Sequence, residues 1–128
     1  QDRGITVTPM VGPSSILLAL MASGLSGQNF AFHGYLPAKD DDRLKKIVAL
    51  EKDSRTEKRT QIFIETPYRN LKILESLLKS CSPQTRICVA TDLTLDSESV
   101  VTRTVSAWRK IGPPEIDRRP TVFLLQSC

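Results

Sequence analysis

Histidine is almost missing from this chain. One residue, His33, stands among 128, and the three cysteines, Cys81, Cys88 and Cys128, form no C-x-x-C pair. Such a scattered set makes neither a zinc site nor a disulfide framework, and no metal is expected. A reducing cytoplasm is the natural setting. Neither a secretory leader nor a membrane-spanning run is expected, because no apolar stretch is long enough to cross a bilayer. Aromatics are sparse at 5%, and no pair looks suited to stacking bases at a surface. Asp92, Asp96 and Glu98 share one polar stretch but lack calcium-loop spacing, which leaves a solvated loop. A nucleophile elbow is excluded as well, since Ile16 stands where G-x-S-x-G needs its second glycine. No internal repeat or low-complexity segment is present.

What is present suits one soluble domain. A chain of 128 residues can bury roughly two-thirds of its unfolded surface and needs no staples. The net charge of +4 is compatible with an anionic partner without indicating one. The organising stretch runs from Ile5 to Gly24, ITVTPMVGPSSILLALMASG. Ile5 to Thr8 suits a strand and Pro9 ends it. Gly12 turns the chain, and Pro13 opens a helix whose residues Ile16, Leu17, Leu18, Leu20 and Met21 predict burial on nearly every side. Ser14 and Ser15 stand at the helix start, where free N–H groups gather. Their spacing fits a capped start or the mouth of a ligand site. Gln1-Asp2-Arg3-Gly4 reads as the capped tail of a preceding helix, so a longer parent chain is expected.

Further elements follow in alternation. Phe30–Leu36 predicts a strand holding His33, which reads as a packed or edge residue. Asp40–Asp42 offer caps to a helix through Leu44, Ile47, Val48 and Leu50. Arg43, Lys45, Lys46, Lys52, Arg55, Lys58 and Arg59 make this region basic, as a solvated face with i,i+4 pairs or as a phosphate-facing patch. Residues 53–60 read as a mobile loop. Gln61–Glu65 predicts a central strand, followed by a helix from Thr66-Pro67 through Leu71, Leu74, Leu77 and Leu78. Arg86–Asp92 and Val100–Val105 predict an antiparallel strand pair, Ser106–Ile111 a short helix, and Thr121–Gln126 a last buried strand. The fold class is α/β, with a mixed sheet of five or six strands and helices on both faces. Glu65, Thr66, Tyr68 and Arg69 follow the carboxyl end of a strand, where open α/β sheets bind ligands. An internal Glu65–Arg69 ion pair is the competing reading.

Five motifs occur in register: Val11-Gly12-Pro13-Ser14-Ser15, Ala22-Ser23-Gly24-Leu25, Phe32 to Lys39 (FHGYLPAK), Phe63 to Arg69 (FIETPYR) and Arg119-Pro120-Thr121. Together they resemble the C-terminal half of the tetrapyrrole methylase superfamily. The nearest branch 2′-O-methylates a cytidine of small-subunit ribosomal RNA. The resemblance implies an S-adenosylmethionine-dependent methyltransferase acting as a homodimer, with this chain as the C-terminal of two domains. It implies that Ser14, Ser15, Tyr35, Pro37, Thr66, Pro67, Pro120 and Thr121 border the cofactor. Tyr68 and Arg69 would meet the substrate, and Glu65, the one carboxylate within the motifs, would accept a proton or hydrogen-bond the acceptor.

Three of this chain's departures from the branch bear on its assignment. Val11 replaces a proline, Ser15 an alanine, and Tyr68 a histidine. The Ser14–Ser15 pair is closer to corrin and porphyrin methylases, which makes a tetrapyrrole the alternative acceptor. Readings of another class are a non-catalytic RNA-binding module built on the basic stretch, or a dimerisation domain with Trp108 or Leu77 at its interface.

Overall fold

The computed structural model describes residues 13–93, 95–114, 116 and 119–127, with side chains from residue 16 onward. The strand expected at Ile5–Thr8 and the turn at Gly12 lie outside these residues. The described elements are α1 (Pro13–Ser23), β1 (Phe30–Tyr35), α2 (Asp40–Glu57), β2 (Thr60–Ile64), a 3-10 turn (Pro67–Arg69), α3 (Asn70–Ser80), β3 (Arg86–Thr91), β4 (Ser99–Thr104), α4 (Val105–Ile111) and β5 (Thr121–Gln126).

Strand alternation builds two cores. Phe63, Ile87, Val89, Phe123 and Leu125 point to one face of the sheet and meet Ile47 and Leu50 of α2, Ile73, Leu74 and Leu77 of α3, and Trp108 of α4. Their sheet neighbours Ile62, Cys88, Ala90, Val122 and Leu124 point to the other face and meet Ala19 and Leu20 of α1. Each large apolar side chain buried this way contributes roughly 1.5–3 kcal/mol. Phe63 and Phe123 stack with ring centroids 5.9 Å apart. The Trp108 indole N–H donates to the Ile87 carbonyl at 2.9 Å, which satisfies its one polar atom in the core.

The sheet order is β1-β2-β5-β3-β4. Among the described strands, only β1 and β2 pair in parallel. The remaining neighbours, β2–β5, β5–β3 and β3–β4, are antiparallel. The expected mixed sheet with helices on both faces is therefore observed, with α2, α3 and α4 on one face and α1 on the other.

Local departures from the sequence reading have identifiable causes. α1 is not enclosed: Ala19 and Leu20 are buried, but Leu17, Leu18 and Met21 are exposed, Met21 by 79%. One helix on a sheet face has sheet beneath it and no described neighbour beside it. The stretch read as a loop at 53–60 is mostly helix, because Ser54 continues the buried row of Ile47, Leu50 and Glu51. The Ser54 hydroxyl donates to the Arg59 carbonyl and accepts from the Ser127 N–H. α2 then stops at Lys58, which takes a left-handed conformation with φ 54°. The three aspartates lie in the first turn of α2, while Lys39 is its N-cap residue and makes no side-chain cap. Trp108 and Leu77 are fully buried, so neither can form a dimer interface.

Candidate functional site

Strand direction gathers the candidate residues. β1, β2 and β3 run one way, and β5 and β4 the other. One rim of the sheet therefore collects the C-terminal ends of β1, β2 and β3 and the N-terminal ends of β4 and β5. Tyr35 ends β1, Glu65 and Thr66 follow β2, and Pro120 and Thr121 open β5. Tyr35, Pro37, Glu65, Thr66, Pro67, Tyr68, Arg69, Pro120 and Thr121 thus reach one rim from three separate segments. Ser14 and Ser15 lie in the first turn of α1, and their side chains are outside the description. The other end of α1 is tied toward the opposite rim: Thr102 Oγ1 donates to the Ser23 carbonyl, and the Ser26 N–H donates to Gln126 Oε1.

The rim presents rings, hydroxyls and charge in a fixed frame. Between Phe32 and Tyr35 the β1–β2 register shifts, and Gly34 takes φ 69°. A side chain at that φ would be strained, so glycine permits the irregularity that precedes Tyr35. Tyr35 is 62% exposed and Tyr68 is 70% exposed. Glu65 is nearly buried, and its Oε1 accepts from the Thr66 N–H at 2.8 Å and from the Thr66 hydroxyl at 3.4 Å. Arg69 donates to the Ala38 carbonyl at 3.3 Å, joining the turn after β2 to the turn after β1. The Glu65–Arg69 ion pair expected as an alternative is not among the described contacts.

Two residues that the sequence reading did not weigh for this rim hold it together. Asn70 is fully buried, and its amide nitrogen lies 2.9 Å from the Ile116 carbonyl, 2.6 Å from the Arg119 carbonyl and 3.1 Å from Thr121 Oγ1. Its Oδ1 is buried without a partner. The signal was available: Asn70, Ile73, Leu74 and Leu77 share the inward spacing of α3, and Asn70 is the polar member. Asp92 follows β3 with φ 52°, a conformation uncommon outside glycine. Its N–H donates to the Pro120 carbonyl at 3.0 Å, while its Oδ2 accepts from Ser97 at 2.7 Å and lies 3.6 Å from Arg119.

The basic stretch divides between interior and surface. Arg43 is buried; it donates to the Ala38 carbonyl and Ser76 and pairs with Asp40 at 2.5 Å. The Arg43 hydrogen bond, then the Lys72 charge, hold the Asp40 carboxyl below its usual range. Arg59 pairs with Asp53 at 2.8 Å and bonds Asn29. Arg55 and Glu51 supply an i,i+4 pair at 3.8 Å. Lys45, Lys46, Lys52 and Lys58 remain exposed. His33 of the outer strand β1 lies 2.7 Å from Gln61 Oε1, as a packed residue. One expectation is overturned: the surface does carry an aromatic pair, Phe30 and Phe32, two residues apart on β1 and exposed by 41% and 46%.

No family model matches the chain. In fold it is similar to two solved methyltransferases. These are CobJ, at TM-score 0.58 and 18% identity over 88% of this chain and 47% of that one, and the cobalt precorrin-4 methyltransferase CbiF, at TM-score 0.52 and 18% identity over 88% and 48%. The architecture is thus that of half a tetrapyrrole-methylase chain. In sequence it is 36% identical over 100 residues to the ribosomal RNA small subunit methyltransferase I of Vibrio cholerae, and 37% identical over 122 residues to that of Xylella fastidiosa. These alignments cover 78% and 95% of this chain, but the chain spans only 33% and 43% of those relatives. The chain is thus similar in sequence to part of the ribosomal RNA small subunit methyltransferase I proteins, and in fold to half of the solved methyltransferases CobJ and CbiF. Among the described residues no helix is long and apolar enough to cross a membrane.

Proposed function

We propose that this chain is the C-terminal domain of a two-domain, S-adenosylmethionine-dependent methyltransferase, and that its rim forms one wall of the cofactor and substrate cleft. The carrying observation is that Tyr35, Glu65–Arg69 and Pro120–Thr121, distant in sequence, converge on one sheet rim. The uncovered apolar face supports the two-domain reading. Leu17, Leu18, Met21, Phe30 and Phe32 are exposed on the side of the sheet where α1 is the one described helix, as an interface awaiting the other domain would be. The proposed acceptor is a ribose 2′-hydroxyl of small-subunit ribosomal RNA. The protein is proposed to be a cytoplasmic homodimer.

The groups on the rim suit a nucleoside sulfonium. Tyr35 offers an exposed ring, Glu65 a carboxylate, and Thr66 a half-buried hydroxyl. Ser14, Ser15, Tyr35, Pro37, Thr66, Pro67, Pro120 and Thr121 would border the cofactor, which supplies an electrophilic methyl group when bound. The chain's own work is then positioning, the largest effect available for an in-line displacement. Glu65, held by Thr66 through one oxygen, has the second to take the acceptor proton. Arg69 is placed to meet a phosphate, and the exposed Tyr68 ring to meet a base.

Calorimetry with S-adenosylhomocysteine, followed by labelled methyl transfer to small-subunit ribosomal RNA, tests the proposal. Full-length protein is expected to bind the ligand and label RNA ribose, while this chain alone binds weakly or not at all. Tight binding by the isolated chain would contradict a two-domain cleft. Label appearing in a corrin or porphyrin would favour the tetrapyrrole alternative, which the Ser14–Ser15 pair supports. Salt-sensitive RNA binding without ligand dependence would favour a non-catalytic module.

A further inference from the structure

We infer that Asn70 is a positioning residue: it latches the segment carrying Pro120 and Thr121 to the turn carrying Thr66–Arg69, and so sets the separation of the two sides of the ligand cleft. The inference rests on the cleft reading above.

The geometry is specific. Asn70 is the first residue of α3, directly after the Pro67–Arg69 turn. Its amide nitrogen faces Ile116 O, Arg119 O and Thr121 Oγ1 at 2.9, 2.6 and 3.1 Å. An amide nitrogen has two hydrogens, so the two carbonyls take them, and the Thr121 hydroxyl turns its own hydrogen to Arg119 O at 3.0 Å. The amide cannot be reversed, because Oδ1 would then face three oxygens. Packing alone does not account for an asparagine here. The position belongs to the inward row with Ile73, Leu74 and Leu77, where an apolar residue would leave no orphan; Asn70 keeps Oδ1 buried and unpaired.

The same segment is fastened from its other side. The Asp92 N–H donates to Pro120 O at 3.0 Å, and Asp92 Oδ2 lies 3.6 Å from Arg119. Asp92 joins the segment to the end of β3, whereas Asn70 joins it to the end of β2. The contacts through Asn70 span 46 to 51 residues of chain. Without this side chain, the Asp92 contacts, the β5 pairing and the packing of Ile116 in the core shared with α3 would still hold the segment, but its hydrogen bonds to the α3 start would be gone.

The test uses full-length protein carrying Asn70→Ala and, separately, Asn70→Asp, which keeps the shape but not the amide donor. Three readouts are combined: S-adenosylhomocysteine affinity by calorimetry, the division of any activity loss between KM and kcat, and amide exchange across residues 112–121. The expected result is about a tenfold loss of ligand affinity in both variants, a matching rise in the cofactor KM and a much smaller change in kcat. Faster exchange should be confined to that segment. A variant that melts at a lower temperature yet binds with parental affinity would reduce Asn70 to a structural role and overturn the inference. If parental protein binds no ligand, the cleft reading fails separately. Exchange then decides the latch: unchanged protection at 112–121 in both variants overturns it, and local loss upholds it.

Discussion

Cys81 and Cys88 are free thiols locked into the two cores. Burial pushes Cys81 up to about 12, with the nearby Glu51 charge adding to the effect, and pushes Cys88 up to about 11. An unfolded thiol titrates near 8.5. The folded chain therefore holds its thiol protons more tightly than the unfolded chain does. That contribution is complete below about pH 8.5 and is lost as pH rises toward 11 and 12. Urea midpoints measured from pH 8 to 11 should fall, and fall less steeply in a Cys81→Ala, Cys88→Ala variant. Equal slopes would show that the two thiols do not carry the effect. At this scale the sequence was legible where one type of contact decides. A lone strand histidine packed as a lone histidine usually does. It was illegible where partners come from distant segments, as with Arg43, whose basic character concealed contacts to Asp40, Ala38 and Ser76.

Elements were legible where the hydrophobic period was clean. The apolar residues within Arg86–Asp92 and Thr121–Gln126 gave strands, and Leu71, Leu74, Leu77 and Leu78 gave the amphipathic α3. The second half of α2 was misread because its inward row changes from Ile47 and Leu50 to Glu51 and Ser54. Those polar residues satisfy donors of neighbouring segments: Glu51 accepts from the Ser82 N–H and the Thr85 hydroxyl, and Ser54 accepts from the Ser127 N–H. The burial of α1 was overestimated because an all-apolar helix does not reveal which side its own chain will cover. The end of α2 supports a prediction of its own. Lys58 sits at φ 54°, where glycine is unstrained. Lys58→Gly should stabilise the protein by about 0.5–1 kcal/mol, read as a higher urea midpoint at unchanged slope. A lower midpoint would mean that the lysine side chain contributes more than the conformation costs.

For the whole molecule, the rim was legible only in part. The order of motifs pointed to the same segments that strand direction brings together, and the expected mixed sheet is observed, but the sequence identified only β3–β4 as an antiparallel pair, whereas three of the four described strand pairings are antiparallel. Asn70 and Asp92, which fasten those segments, depend on contacts that no local pattern encodes. The uncovered face of α1 yields a test at this scale. Leu17→Gln combined with Met21→Gln removes apolar surface that the chain itself does not bury. The isolated chain should keep its unfolding free energy in urea within about 0.5 kcal/mol, while full-length protein carrying both changes should melt at a lower temperature. Parallel behaviour of the two would argue against a docked second domain.

The position of β5 has a temporal consequence. It is synthesised after the other four described strands, yet it lies between β2 and β3 in the finished sheet. Until residue 121 has been made, the β1–β2 pair and the β3–β4 hairpin lack the strand that joins them. Assembly is therefore gated by the emergence of Thr121–Gln126, and the rim closes only when Pro120 and Thr121 arrive between the ends of β2 and β3.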